Sequence, residues 1–182
     1  TRHTSYLFRV METGHLEHLY YGRKIHPAID GLMEQHAFAP GNTNIYDSEH
    51  LQFSLEDACL EMSSFGKGDI REPFVELTLS DGSETSDFLF EKFEQGTGKE
   101  EFETLPGSYD ESGEVEWLGV TLRDKNSGVI LELHYYVYED CDVITRSAKL
   151  INESGDVVKL NRLMSLQLDL EPSDYVFTTF HG

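Results

Sequence analysis

An all-β, mostly antiparallel β-sandwich of two packed sheets is the fold this sequence predicts, and three observations carry the reading. Apolar residues recur with period two. Glycine-bearing turns fall between the alternating runs. No stretch of 12 residues shows a capped helical stripe. The clearest strand is 129–138: Val129, Leu131, Leu133, Tyr135 and Val137 share one face, and Ile130, Glu132, His134, Tyr136 and Tyr138 the other. Residues 157–170 alternate similarly, and further strands are expected at 5–10, 16–21, 74–80, 87–93, 115–123 and 143–152. Asp81-Gly82-Ser83, Gln95-Gly96-Thr97-Gly98, Glu111-Ser112-Gly113, Asn126-Ser127-Gly128 and Ser154-Gly155-Asp156 supply residues that tolerate positive φ between them. The best helix-like piece is the short run 54–62. Many short strands at hairpin spacing each bury one face, which a second sheet must cover.

Two segments interrupt this pattern. Residues 23–52 form a long polar excursion with Pro27, Gly31, Pro40, Gly41 and no periodicity, and excursions of that length within a compact domain carry function or interfaces. The second is 99–110, where Glu100, Glu101 and Glu103 surround Phe102. No linker or repeat divides the chain, so 1–182 is read as one domain.

The 182 residues hold 34 acidic and 14 basic side chains, for a formal charge of −20. Such a surface repels phosphate backbones and anionic membranes, so neither nucleic acid nor a membrane is expected as partner. A hydrophobic fraction of 38% still suffices for a core. No apolar run approaches the roughly 20 residues that span a bilayer. The two cysteines, Cys59 and Cys141, read as small buried apolar residues in a reducing, cytoplasmic compartment. The chain opens on Thr1, so the lack of a signal peptide carries little weight.

Local catalytic signals are missing: there is no Gly-x-Ser-x-Gly, His-Glu-x-x-His or Cys-x-x-Cys. Gly66-Lys67-Gly68-Asp69 lacks phosphate-loop spacing, and Pro73 and a strand follow it instead of a helix. His15 and His18 are expected on opposite faces of one strand; His26, His36 and His50 read as solvated loop residues. No cofactor or metal is therefore expected. Asp69 and Arg71 stand two apart on an extended segment, project the same way and suit the ordering of loops. Arg146 and Arg162 interrupt apolar strands, where each guanidinium requires an acid. Trp117 reads as core.

In combination, several strings resemble one family. Phe53-Ser54-Leu55-Glu56 followed by Gly66 to Pro73 is similar to the FSLD … YG-x-x-D-[FI]-R-x-P run of family 36 glycoside hydrolases, the tetrameric bacterial α-galactosidases. Asp81 to Ser83, Asp87-Phe88, Asp142 to Ser147, Arg162, Asp169 and Phe180 to Gly182 continue it in register. The resemblance implies that 1–182 is an N-terminal β-supersandwich preceding a catalytic (β/α)8 barrel. The nucleophilic Asp of a Lys-Trp-Asp motif and the acid/base Asp would both lie in that barrel. It implies retaining hydrolysis of terminal α-galactosides such as melibiose or raffinose by the whole enzyme, with this chain inactive alone. It further implies a scaffold for barrel packing and tetramer formation, whose loop reaches a neighbouring active site. The 23–52 excursion falls at that loop, with Glu34 and Gln35 as its substrate-facing residues, while Leu51 stands near a family Arg position. Asp69, Arg71, Asp142, Arg146 and Arg162 become structural motif residues. Two other readings need features of their own. A free-standing carbohydrate-binding sandwich needs an aromatic platform from Tyr20, Tyr21, Tyr46 or Trp117. A mutarotase-like enzyme needs a His and a Glu in one cleft.

Overall fold

The computed structural model describes residues 1–26, 29–33, 44–102, 106–170 and 174–180. Eight antiparallel strands account for its regular structure: β1 (Thr4–Val10), β2 (Leu16–Arg23), β3 (Val75–Thr78), β4 (Phe88–Thr97), β5 (Glu116–Asp124), β6 (Ile130–Tyr138), β7 (Val143–Ile151) and β8 (Lys159–Leu163). Only short 3-10 turns stand beside them among the described residues, at Ile29–Leu32, Leu55–Asp57 and Glu139–Cys141.

One layer is the four-stranded sheet β4-β5-β6-β7. The other is pieced together. β1 pairs with β2 and β3 with β8, and the connecting chain bridges the two pairs. Leu60 pairs with Glu17 of β2, and Ser64 with Val75 of β3. His18 N donates to Cys59 O at 2.7 Å and Glu61 N to Leu16 O at 3.0 Å, so residues 59–64 act as the strand missing between two hairpin-like pairs. The layers enclose one core of Leu16, Phe74, Val75, Leu77, Phe88, Val120, Leu122, Val129, Leu131, Leu133 and Tyr135. Each fully buried Leu or Phe there contributes about 1.5–3 kcal/mol from lost water contact. A smaller cluster of Tyr46, Leu55, Ala58 and Leu60, with Met11 and Phe53 against it, lies under the returning end of the excursion.

Five expectations need correction. The 54–62 run makes only the turn Leu55–Asp57, because Arg71 occupies the carbonyls of Leu55 and Ala58, each at 2.7 Å, as their hydrogen-bond donor. Gln95 to Thr97 is not a turn but the end of β4, where Gly96 pairs with Trp117. A Cβ at Gly96 would stand 2.9 Å from the indole Nε1, so the glycine permits close approach of the ring. Trp117 accordingly lies half-buried over Gly96 and Gly119 and outside the core. Regular pairing in 157–170 stops at Leu163, because the residues beyond serve the clasps described below. Finally, Cys141 is exposed and Cys59 half-buried, so neither is a core residue.

Candidate functional site

At the junction of the two sheets, Glu61 is fully buried. It sits inside the apolar run Ala58–Met62, and the bridge to β2 turns its side chain inward. Tyr6 of β1 donates to it at 2.7 Å, Tyr135 of β6 at 2.7 Å, and His18 Nδ1 of β2 lies 2.7 Å away. Arg146 of β7, itself 7% exposed, stands 3.3 Å from Glu61 Oε2 and covers the Tyr135 ring at 4.8 Å. Burial and the adjacent Glu61 carboxylate push the Tyr6 and Tyr135 phenols well above the usual tyrosine range. This is a His and a Glu brought together, yet they are enclosed between the sheets. With both side chains at 3% exposure or less, no sugar reaches them, and the pair is a structural knot.

Two clasps converge beside the knot. Arg71 donates to both oxygens of Asp69 at 2.9 Å, to the carbonyls of Leu55 and Ala58, and to Asp169. Arg146 also donates to Gln167 O at 2.9 Å and to Glu61 O at 3.2 Å. Gln167 Nε2 in turn reaches Asp169 Oδ2 at 3.2 Å. Asp69, Arg71 and Arg146 therefore meet on the 167–169 segment, and so fasten the chain after β8 to the 55–61 segment. Burial lowers the Arg71 pKa, but its bonds to Asp69 and the charges of Asp69 and Asp169 outweigh this and raise it overall. Asp142 and Arg162 stand apart from this group. Asp142, in the left-handed region at φ 54°, has His3 Nδ1 2.6 Å from Oδ2 and accepts from His3 N at 2.7 Å and Thr1 Oγ1 at 2.8 Å, and these contacts, the His3 side chain first, hold its carboxyl well below the usual range. Arg162 pairs with Glu72 at the surface.

A second buried carboxylate, Asp87, anchors the excursion. Tyr46 donates to its Oδ2 at 2.9 Å, and His15 Nε2 lies 3.1 Å from Oδ1. Its own backbone N donates to Asp124 Oδ1 at 2.6 Å. Burial opposes ionisation of Asp87, but the bonds from His15 and Tyr46 and the charge of Lys67 win, and its carboxyl stays below the usual range. His15 and His18 thus serve separate buried acids. Tyr46, at 5% exposure, cannot offer a sugar platform. Of the loop histidines, His50 Nδ1 lies 2.7 Å from Asp47, while His36 falls outside the described residues. Among the described residues no three His, Cys, Asp or Glu side chains are placed to hold a metal. No described helix is long and apolar enough to cross a membrane.

Glu34 and Gln35, the substrate-facing positions offered by the resemblance, lie outside the described residues. The sequence reading named His15, Tyr46 and Asp87 without their buried partnership and did not name Glu61, whose one sequence signal is an acid between apolar neighbours, Leu60-Glu61-Met62.

The profile of the glycosyl hydrolase family 36 N-terminal domain matches residues 14–182. Alpha-galactosidase AgaA of Geobacillus stearothermophilus is 31% identical over 180 residues, covering 94% of this chain and 24% of its own. The bifunctional alpha-galactosidase/sucrose kinase AgaSK of Mediterraneibacter gnavus is 30% identical over 189 residues, covering 100% of this chain and 20% of its own. The crystal structure of the alpha-galactosidase from Lactobacillus brevis superposes with a TM-score of 0.86 at 34% identity, over 93% of this chain and 23% of that one. An AgaA variant in complex with raffinose superposes with a TM-score of 0.86 at 30% identity, over 94% of this chain and 24% of that one. The chain thus spans a quarter or less of the relatives it matches. Matched by the family profile over residues 14–182 and over nearly its whole length by these α-galactosidases, the chain belongs to glycosyl hydrolase family 36, as an N-terminal domain of that family.

Proposed function

We propose that this chain is the non-catalytic N-terminal β-sandwich portion of a retaining α-galactosidase, whose (β/α)8 barrel carries the two catalytic carboxylates. The observation that carries the reading is coverage: nearly all of this chain aligns with about a quarter of several α-galactosidases. The knot supports the non-catalytic part, since the carboxylate with the densest set of partners is closed to substrate. In this reading, the domain packs on the barrel, carries contacts of a cytoplasmic tetramer, and lets the 23–52 excursion, with Glu34 and Gln35, border a neighbouring active site. Substrates are terminal α-galactosides such as melibiose and raffinose; a variant of the related AgaA was crystallised with raffinose. The exposed Val176, Phe177 and Phe180, at 89%, 90% and 93% exposure, favour a surface meant for other polypeptide.

The test compares purified 1–182 with the full gene product for release of galactose from raffinose. Turnover by the full product alone is expected; enzyme-like turnover by 1–182 overturns the reading. Sedimentation of the full product should give a tetramer.

A further inference from the structure

The face of the four-stranded sheet that turns away from the core carries aromatic rings and unsatisfied polar groups side by side. Register sets its residues in two adjoining rows across β4 to β7: Gly96, Trp117, Tyr136 and Thr145, then Glu94, Gly119, His134 and Ser147. The two glycines make room for a ring. A Cβ at Gly96 would meet the indole at 2.9–3.1 Å and one at Gly119 at 3.3 Å, so Trp117 lies across both positions with its other face turned outward. Tyr136 stands beside it in register, and the Tyr136 and His134 rings lie within 15° of parallel.

The same rows hold polar atoms that lack a partner. Among the described residues, His134 Nε2, Thr145 Oγ1 and Ser147 Oγ are shut off from water and make no hydrogen bond. They are three of six such atoms there, and two of them sit opposite one another, on His134 and Ser147. The Glu132 carboxylate comes only to 3.5 Å from His134 Nε2. A hydroxyl left without a partner costs free energy, so a cluster of them points to a group that arrives from outside. Thr145 and Ser147 also line a cavity of about 580 Å³, which Tyr136, Lys99 and Phe102 help to wall. Lys99 Nζ is already engaged, 4.5 Å from the Tyr136 ring, 4.3 Å from the Phe102 ring and donating to Glu100 O at 2.9 Å. Rotation about χ1 swings either hydroxyl toward the cavity that its side chain lines.

These walls select a ligand chemistry. A hydroxyl both donates and accepts, and so does a neutral imidazole, which matches another hydroxyl better than an ion. An outward aromatic face matches the C–H patch of a sugar ring. The formal charge of −20 works against an anion. The cavity volume falls in the range of small-molecule sites. At the usual strand spacing, β5 to β7 spans about 10 Å, the length of a disaccharide.

We propose that this face is a carbohydrate-binding site. A neutral oligosaccharide stacks on Trp117 and Tyr136 and takes hydrogen bonds from Thr145, Ser147 and His134.

The experiment titrates the full-length gene product with sucrose and with lactose, neutral disaccharides that are not α-galactosides. Calorimetry reads affinity, and amide exchange over 143–149 of the edge strand locates the site. At least one sugar should bind and slow that exchange. Thr145→Val combined with Ser147→Ala keeps the bulk and removes both hydroxyls. Its half-saturating concentration should rise about 25-fold, two hydrogen bonds at about fivefold each, while Tm stays level or rises because orphaned polar atoms have gone. Trp117→Ala should weaken binding about fivefold through lost stacking. Failure of both sugars to bind overturns the proposal and leaves the hydroxyls to water. So does binding that the double variant and Trp117→Ala leave unchanged, because the sugar then sits elsewhere. A Tm loss in the double variant with affinity intact overturns it as well, since a purely structural role behaves that way. Slowing of 143–149 by glucose 6-phosphate but by neither disaccharide overturns the neutral ligand class.

Discussion

Glu61 and Asp87 are both carboxylates buried to within 1% exposure, yet they are held in opposite ways. Glu61 lies between the sheets and faces a full guanidinium charge from Arg146, two phenols and His18. Asp87 lies at the rim, where its nearest side-chain cation by geometry, Lys67, is 4.0 Å away, and its direct partners are Tyr46 and His15. The first arrangement joins layers that cannot separate without stranding a charge. The second fixes the foot of a polar excursion that the core does not need. A buried acid with a full counter-charge is therefore part of the fold, whereas one satisfied by hydrogen bonds at the rim sets the position of something outside it.

Three measurements sharpen or break this contrast. The largest effect is expected from Arg146→Met, which leaves Glu61 buried beside two phenols without a cation. Stability should fall by about 3–5 kcal/mol, the cost of orphaning a buried charge, as read by urea denaturation. A loss below about 1 kcal/mol would mean that the knot is not what joins the sheets. Next is Arg71→Ala, which frees the 167–169 segment and the carbonyls of Leu55 and Ala58. About 2 kcal/mol is expected from charge-assisted bonds that are partly exposed to water, with faster amide exchange confined to the clasped segments. Uniform acceleration over the whole sandwich would instead make this clasp part of the knot.

The smallest effect is in pH. Asp87 has a depressed folded pKa, so its contribution is complete above the unfolded value near 3.8 and is lost as pH falls through the lower folded value. Tyr6 and Tyr135 have raised pKa values, so their contribution is complete below the unfolded value of 10.0 and is lost as pH rises beyond it. Comparing Asp87→Asn with wild type between pH 2 and 6, the Tm gap should close below about pH 4. Tyr135→Phe should flatten the decline above about pH 10. The division is one of degree, because Tyr46 at the rim is also raised. A Tm gap for Asp87→Asn that persists unchanged at pH 2 would show that its ionisation is not what holds the foot.

The strand pattern was readable from residues because burial of one sheet face imposes a period of two on a sequence, and 129–135 shows it: Val129, Leu131, Leu133 and Tyr135 are all buried, while Glu132 and His134 between them are only partly so. Turn glycines at 82, 113, 128 and 155 take positive φ, as their neighbours led us to expect. The family also showed in the sequence, because Asp69-x-Arg71 and Asp142 to Ser147 are short strings similar to ones of that family. Other features have no local signature. An Asp-x-Arg string says that a clasp exists, but only chain packing brings Asp169 to it across 98 positions. Alternation predicted a strand through Leu170 and could not foresee that Gln167 and Asp169 are used by two arginines.

What the sequence alone determined is the class of structure and its kinship, since periodicity, turn chemistry and motif spacing are all properties of neighbours along the chain. What only the tertiary structure decided is which acidic side chains are buried, Glu61, Asp87 and Asp124 among them, and with what partners. Burial of a charge depends on groups far apart in sequence, as with Tyr6, Glu61, Tyr135 and Arg146, arriving at one point together. No run of adjacent residues encodes that meeting, because it is the packing of the two sheets that creates it.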